Sequence, residues 1–284
     1  MQLLCGAISA DSSVGAVDWI AEFRSMALAV RQVVGGLAGT AEGGSELSRG
    51  YGGDITLLVD RASEETCLER LGRLATRIGG FSVISEEAGF VDLGASYPRV
   101  LMDPVDGSLN AQRGLPFYGF MIAAADGPCL GDVFAGLVVN LVTGEEFWAT
   151  RGGGAYRNGK PLQARRAEPE RIGVLGLEST SKGLDRAVGL VSAARRLRIM
   201  GSMALSLCHT AVGEMDLFCS PRPVRLFDCA AAMLIAGEAG AVVSDIGNRP
   251  LANRSYDLQQ TGTLLVSAHR SLHSLALGLL DEER

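Results

Sequence analysis

Apolar residues recur along this chain with two rhythms. Ala16, Trp19, Ile20, Phe23, Met26, Ala27, Val30, Val33 and Val34 fall on one stripe at i, i+3, i+4 and i+7. That spacing predicts an amphipathic helix over 14–34, capped by Asp11 or Ser12. Residues 35–53 are rich in Gly, Ser and Glu and read as a mobile loop. A second helix is predicted over 61–78, with Ala62, Leu68, Leu71, Ala75 and Ile78 facing inward and Gly79-Gly80 as its stop. Short apolar runs of strand length follow at 81–84, 99–102, 117–125, 132–140 and 145–149. Thr143-Gly144 and Gly152 to Gly154 suit turns between antiparallel strands.

After about residue 165 the rhythm changes. Strand-like 172–177 precedes a helix near 182–195, and strand-like 197–200 precedes a helix at 202–212. Segment 215–219 then leads to a helix at 228–239 and a strand at 241–244. This alternation predicts parallel βα units. The chain thus reads as an α+β half over 1–165 and an α/β half over 166–284, with no flexible linker or repeat between them.

Composition narrows the function. At 284 residues and 47% hydrophobic, one large domain or two small ones can bury a real core. A net charge of −6 without a basic block argues against nucleic acid and for a small-molecule or cation ligand. No apolar run is long enough to cross a bilayer, and the N-terminus lacks the basic-then-apolar pattern of a secretory signal. The six cysteines are scattered without a C-x-x-C pair, as expected of buried thiols in a reducing cytoplasm. His269 and His273 have helical spacing but no acidic ligand nearby in sequence, which reads as a surface helix and not a metal site.

The densest chemistry lies in Arg-Val-Leu-Met-Asp-Pro-Val-Asp-Gly-Ser-Leu-Asn, residues 99–110. An apolar run ends in Asp103 and Asp106, at the kind of strand end where α/β sites are built. Two hard oxygen ligands there suit Mg²⁺, although Asp-Pro and Asp-Gly also form ordinary turns. Further acids stand at similar junctions: Glu86 and Glu87 after the strand-like 81–84, Asp60 after 54–59, and Asp228 before the apolar run 229–236. Asp60 and Asp228 could equally cap the helices that follow them, and Glu86-Glu87 could be a solvated loop.

The ordered set Ile84-Ser-Glu-Glu87, Asp103-Pro-Val-Asp-Gly-Ser-Leu-Asn110 and Phe227-Asp-Cys-Ala-Ala-Ala, with Glu238-Ala-Gly-Ala-Val-Val-Ser-Asp245 after it, resembles the inositol monophosphatase family. Gly152–Gly159 and Gly201–Asp216 match it as well, and the resemblance runs from about 54 to 250. Asn110-Ala111, Gly114 to Tyr118 and the arginine-bearing loop Arg222 to Arg225 are similar to archaeal members with both inositol-monophosphatase and fructose-1,6-bisphosphatase activity. The resemblance implies an α+β fold, a layered αβαβα sandwich. It further implies a homodimer and a phosphatase acting on a sugar or polyol phosphate, with no nucleic-acid or membrane partner. Carried over by motif, Glu86, Asp103, Asp106, Asp228 and the Val105 carbonyl would hold two or three Mg²⁺ ions. Ser108, partnered by Asp60, would orient and deprotonate the attacking water with help from Glu86, and the Gly107 and Ser108 amides would hold the phosphate. Arg198, Met203 and Arg222 would lie near the sugar, with Arg225 as the alternative to Arg222.

Two departures stand out. Leu57 replaces the threonine frequent in the family three residues before the catalytic aspartate. Cys219-Ser220-Pro221 replaces a loop that carries a hydroxyl-binding glutamate in many inositol-specific members, which leaves room for a second phosphate on an arginine. Three rivals remain: an adenosine-bisphosphate-type phosphatase of the same superfamily, a weakly active sugar-phosphate-binding or regulatory dimer, and a haloacid-dehalogenase phosphatase. The last places one residue between its two aspartates, the first of them a nucleophile, whereas Asp103 and Asp106 have two between them.

Overall fold

A computed structural model of the chain describes residues 17–50, 55–162, 171–180 and 183–281. Helix α1 (Trp19–Leu37) starts at Asp18, whose carboxylate accepts from the Ala21 amide at 3.0 Å. The expected caps Asp11 and Ser12 lie outside the described residues. Part of the expected loop forms β1 (Glu46–Arg49), antiparallel to β2 (Ile55–Leu57). Helix α2 (Leu58–Ile78) begins three residues earlier than its sequence pattern suggests. Asp60 therefore sits inside its first turn, where it accepts from the Leu57 amide at 3.0 Å. Gly79, at φ 92°, closes the helix.

The first sheet contains β3 (Ser82–Ser85), β4 (Gly89–Asp92), β5 (Arg99–Asp106), β6 (Gly119–Ala125), β7 (Val133–Asn140), β8 (Glu146–Thr150), β9 (Gly154–Arg157) and β10 (Lys160–Pro161). Its order is β10-β9-β8-β7-β6-β5-β3-β4, and among these pairs only β3 and β5 run parallel. Helix α3 (Ser108–Arg113) follows β5 at once. The division expected at 165 falls within 163–170, outside the described residues.

The second sheet contains β11 (Val174–Leu177), β12 (Arg196–Arg198), β13 (Leu217–Arg225), β14 (Val242–Ser244) and β15 (Thr261–Ser267), in the order β12-β11-β13-β15-β14. Between β11 and β12, the expected long helix is a 3₁₀ turn followed by the short α4 (Val188–Ala193). The parallel expectation holds for β12, β11 and β13 but not beyond, because β15 runs antiparallel to both β13 and β14. The ladder between β13 and β15 breaks between Ser220 and Val224, where Pro221 and Pro223 have no N–H to donate.

Between the two sheets lie α5 (Met203–Ala211) and α6 (Ala230–Glu238). Helix α6 is apolar all round, as a helix covered by sheets on both sides must be. The outer face of the first sheet packs on α1 and α2. The outer face of the second packs on α4 and α7 (Arg270–Asp281). The layers are thus αβαβα. His273, expected on a surface helix, is instead 3% exposed on α7, within hydrogen-bond distance of Ser244 Oγ (2.9 Å) and Ser267 Oγ (3.0 Å). Among the described residues no helix is long and apolar enough to cross a membrane. Cys67, Cys208, Cys219 and Cys229 are free thiols.

Candidate active site

Parallel pairing of β3 with β5 sets Ser85 beside Met102, so one further step along both strands brings Glu86 beside Asp103. On the other side, the antiparallel ladder with β6 matches Asp103 to Met121 and Asp106 to Gly119. Three steps on β5 thus face two on β6, a bulge at Pro104-Val105. It lets both aspartates leave the strand end within one short turn, braced by the Val105 amide donating to Asp103 Oδ1 at 3.0 Å. Asp228 arrives on the 3₁₀ turn Phe227–Cys229 that leads into α6 and packs against β5.

These groups line a cavity of about 590 Å³. Oxygens of Glu86, Asp103 and Asp228 all lie within 4.8 Å of one another. Among the described residues that line the cavity, seven carboxylates (Asp60, Glu86, Glu87, Asp103, Asp106, Glu178 and Asp228) face one arginine, Arg225. Arg225 donates from Nε to Asp228 Oδ2 at 2.8 Å and from Nη2 to Glu86 Oε1. Burial opposes its charge, but Asp228 and Glu86 outweigh that and hold the guanidinium protonated.

The acids are under mutual strain. Burial, then Glu86, Asp106 and Asp228, push Asp103 well above the carboxylate range. Burial and Glu86 raise Asp228 too, against the pull of Arg225. Asp106 rises to about 6 through burial, although Ser202 Oγ (2.5 Å) and the Ala204 (2.8 Å) and Met203 (3.1 Å) amides donate to it. Asp106 thereby also caps α5. Asp60 rises to about 6 through burial, moderated by the Ser108 hydroxyl and the Leu57 amide. Ser108 Oγ donates to the Val105 carbonyl at 3.0 Å, and the same hydroxyl lies beside Asp60.

Donor chemistry fits a hard divalent cation. The set is all oxygen, and Asp60 Oδ1 and Asp228 Oδ1 are buried with no hydrogen-bond partner among the described residues.

Of the residues singled out in the sequence, Glu86, Asp103, Val105, Asp106, Gly107, Ser108, Asp60, Asp228, Met203 and Arg225 come together around the cavity. Arg198 does not: it is exposed on β12 and donates to the Leu197 carbonyl. Arg222 turns outward at the proline-broken ladder and donates to Thr180 Oγ1 at 2.7 Å, while Arg225, past the break, reaches the cavity. Gly107 has φ 97°, and a Cβ there would stand 2.7 Å from the Gly201 carbonyl oxygen, so only glycine fits. Leu57 buries its side chain with α1 and α2, and the nearby hydroxyl comes one residue earlier, from Thr56, which donates to Glu87.

Three contributors are not among the site residues singled out in the sequence. Ser202 anchors Asp106. Glu64 on α2 accepts from Ser85 Oγ and from the Ala88 amide (2.9 Å), and so fixes the turn bearing Glu86 and Glu87. Glu178 follows directly on β11 and lines the cavity, with burial and then Asp106 raising it to about 7. Two of them left a signal: Glu64 interrupts an otherwise apolar stripe with Cys67 and Leu71, and Glu178 stands at the carboxyl end of a parallel strand.

Layered sheets with an acidic, oxygen-lined cavity at a strand end define a class of hydrolytic fold, and comparison with known proteins agrees. The model of the inositol monophosphatase family matches residues 19–284, and the chain belongs to that family. A fructose-1,6-bisphosphatase/inositol-1-monophosphatase of Thermococcus kodakarensis is 33% identical over 87% of this chain and 91% of its own length. A protein of the same name from Archaeoglobus fulgidus is 34% identical over 83% and 87%. A solved inositol monophosphatase–fructose 1,6-bisphosphatase superposes with a TM-score of 0.82 at 26% identity, covering 93% of this chain and all of that one. The protein is accordingly a phosphoric monoester hydrolase.

Proposed function

We propose that this enzyme is a Mg²⁺-dependent phosphatase that removes phosphate from a sugar or polyol phosphate monoester by direct attack of water. The observation that carries the reading is the oxygen cluster of Glu86, Asp103 and Asp228 in a cavity that also holds Asp60 and Ser108. Glu86, Asp103, Asp106, Asp228 and the Val105 carbonyl would hold the cations, two or three of them. When bound, the cations supply charge neutralisation and Lewis acidity for a dianionic ester.

The chain's own residues do the rest. Asp60, with an elevated pKa and an unpartnered Oδ1, accepts the proton of the attacking water through or beside the Ser108 hydroxyl. The Gly107 and Ser108 amides, where the backbone turns through φ 97°, meet phosphate oxygens. Arg225 brings a planar, permanently charged donor to the same cavity, so it and not Arg222 is the arginine of the substrate side. No covalent phosphoenzyme is involved, since both strand-end aspartates serve as cation ligands. The enzyme acts as a homodimer in the cytoplasm.

A phosphate-release panel with Mg²⁺ over inositol 1-phosphate, fructose 1,6-bisphosphate, an adenosine bisphosphate and NADP tests the reading. NADP belongs there because a bifunctional NADP phosphatase/NAD kinase of Methanococcus maripaludis is 26% identical over 93% of this chain. Release from a sugar or polyol phosphate that stops on chelation supports the proposal. Release only from the nucleotides, or trapping of an aspartyl-phosphate on Asp103, overturns it.

A further inference from the structure

One wall of the cavity carries an acid that is not among the proposed cation ligands. Glu178 lies at the carboxyl end of β11, where its amide donates to the Cys219 carbonyl at 3.0 Å and Ser220 Oγ reaches back to its own carbonyl. It is thus fixed beside the Cys219-Ser220-Pro221 stretch that lacks a glutamate of its own. Its side chain lines the cavity, and among the described residues its carboxylate has no hydrogen-bond or ion-pair partner. None of the arginines weighed for the substrate side pairs with it. Arg198 is exposed on β12, Arg222 is turned out to Thr180, and Arg225 is held by Glu86 and Asp228.

In its ionised form, an unpaired carboxylate in a cavity accepts hydrogen bonds from neutral hydroxyls and repels a phosphate. Building on the phosphatase reading above, we propose that Glu178 is a specificity-determining residue that binds hydroxyls of the substrate's unphosphorylated end and selects polyol monophosphates against bisphosphates. It takes over, from the neighbouring strand, a contact that the β13 loop cannot make.

The test compares kcat and KM of the unaltered chain, Glu178→Gln and Glu178→Ala on inositol 1-phosphate and fructose 1,6-bisphosphate with Mg²⁺. Hydrolysis of p-nitrophenyl phosphate by the unaltered chain serves as an independent check of phosphatase activity. A hydrogen bond to a charged group corresponds to roughly a tenfold effect or more, so Glu178→Ala raises KM for the monophosphate about tenfold with little change in kcat. Both variants shift the monophosphate-over-bisphosphate ratio of kcat/KM toward the bisphosphate, by roughly tenfold or more. An unchanged ratio, or an equal loss on both substrates, overturns the role of Glu178 while leaving the phosphatase reading intact. An unaltered chain that hydrolyses none of the three esters overturns both.

Discussion

Two clusters of charged side chains tie distant parts of this molecule together, and they are built on opposite rules. In the first, Arg157 on β9 donates to Glu145 at 2.6 Å and to Glu214 at 2.8 Å, and Glu214 also meets His209 at 2.6 Å. Although burial opposes it, Arg157 and His209 draw Glu214 below its usual pKa. In the second, the cavity acids crowd around Arg225 alone and are driven upward. The first cluster has settled its charges and holds β9 to the end of α5. The second keeps carboxylates unsettled in a buried place, an arrangement that stability alone disfavours and that the proposed cation site would account for.

The sharpest way to break the comparison is to neutralise one acid in each. Asp103→Asn or Asp228→Asn removes a cation ligand and lowers Mg²⁺-dependent phosphate release by at least about 100-fold. Glu214→Gln leaves release within about threefold, because it touches nothing in the cavity. Steady-state kinetics on the best substrate of the panel checks both, and near-normal turnover in Asp103→Asn would sink the cation assignment.

Stability should reverse the order. In metal-free buffer Asp103→Asn melts above the parent, since a buried repulsion is relieved. Glu214→Gln melts below it, by about 1 kcal/mol at a partly exposed pair. Thermal melts in chelator decide the matter, and a drop in both variants would mean that the cavity acids are also structural.

Acidity separates the clusters by sign. Asp60 has a folded pKa of about 6 against an ordinary 3.8, so it favours the folded state fully below 3.8 and ceases to do so as pH rises through 6. That difference corresponds to about 3 kcal/mol across the window. Subtracting the metal-free stability profile of Asp60→Asn from that of the parent isolates this fall with rising pH. Glu214 has a lowered pKa, so its contribution is present above its ordinary 4.5 and disappears as pH falls through the folded value. The parent-minus-Glu214→Gln profile should therefore slope the other way. As a baseline, the exposed Glu69–Arg73 pair of α2 belongs to neither cluster, and Arg73→Ala changes stability by less than about 0.5 kcal/mol in urea titration.

Legibility in the sequence followed the range of the interaction. Asp103, Asp106, Glu86 and Asp228 could be read because each stands at a junction between an apolar run and a turn, a local signal. Helices α1 and α2 showed in their stripes for the same reason. The direction of β15 did not, since its reversal beside β13 depends on the path through α6 and β14, which no local pattern encodes. Choosing between Arg222 and Arg225 needed the ladder break at Pro221 and Pro223, a property of two paired strands. Ser202 became relevant only when α5 was seen to begin opposite Asp106.

Arg225 has one more implication. A guanidinium seated between Glu86 and Asp228 is a resident counter-ion supplied by the chain itself. A chain without a divalent ion would then close this cavity with its two acids, one just after β3 and one on the turn before α6, already bridged. On the proposed reading, loading with a divalent cation would exchange one cation for another, and its net affinity would be the difference between the two. Arg225, held on β13, would in that exchange gain donors to offer an anion in the same cavity.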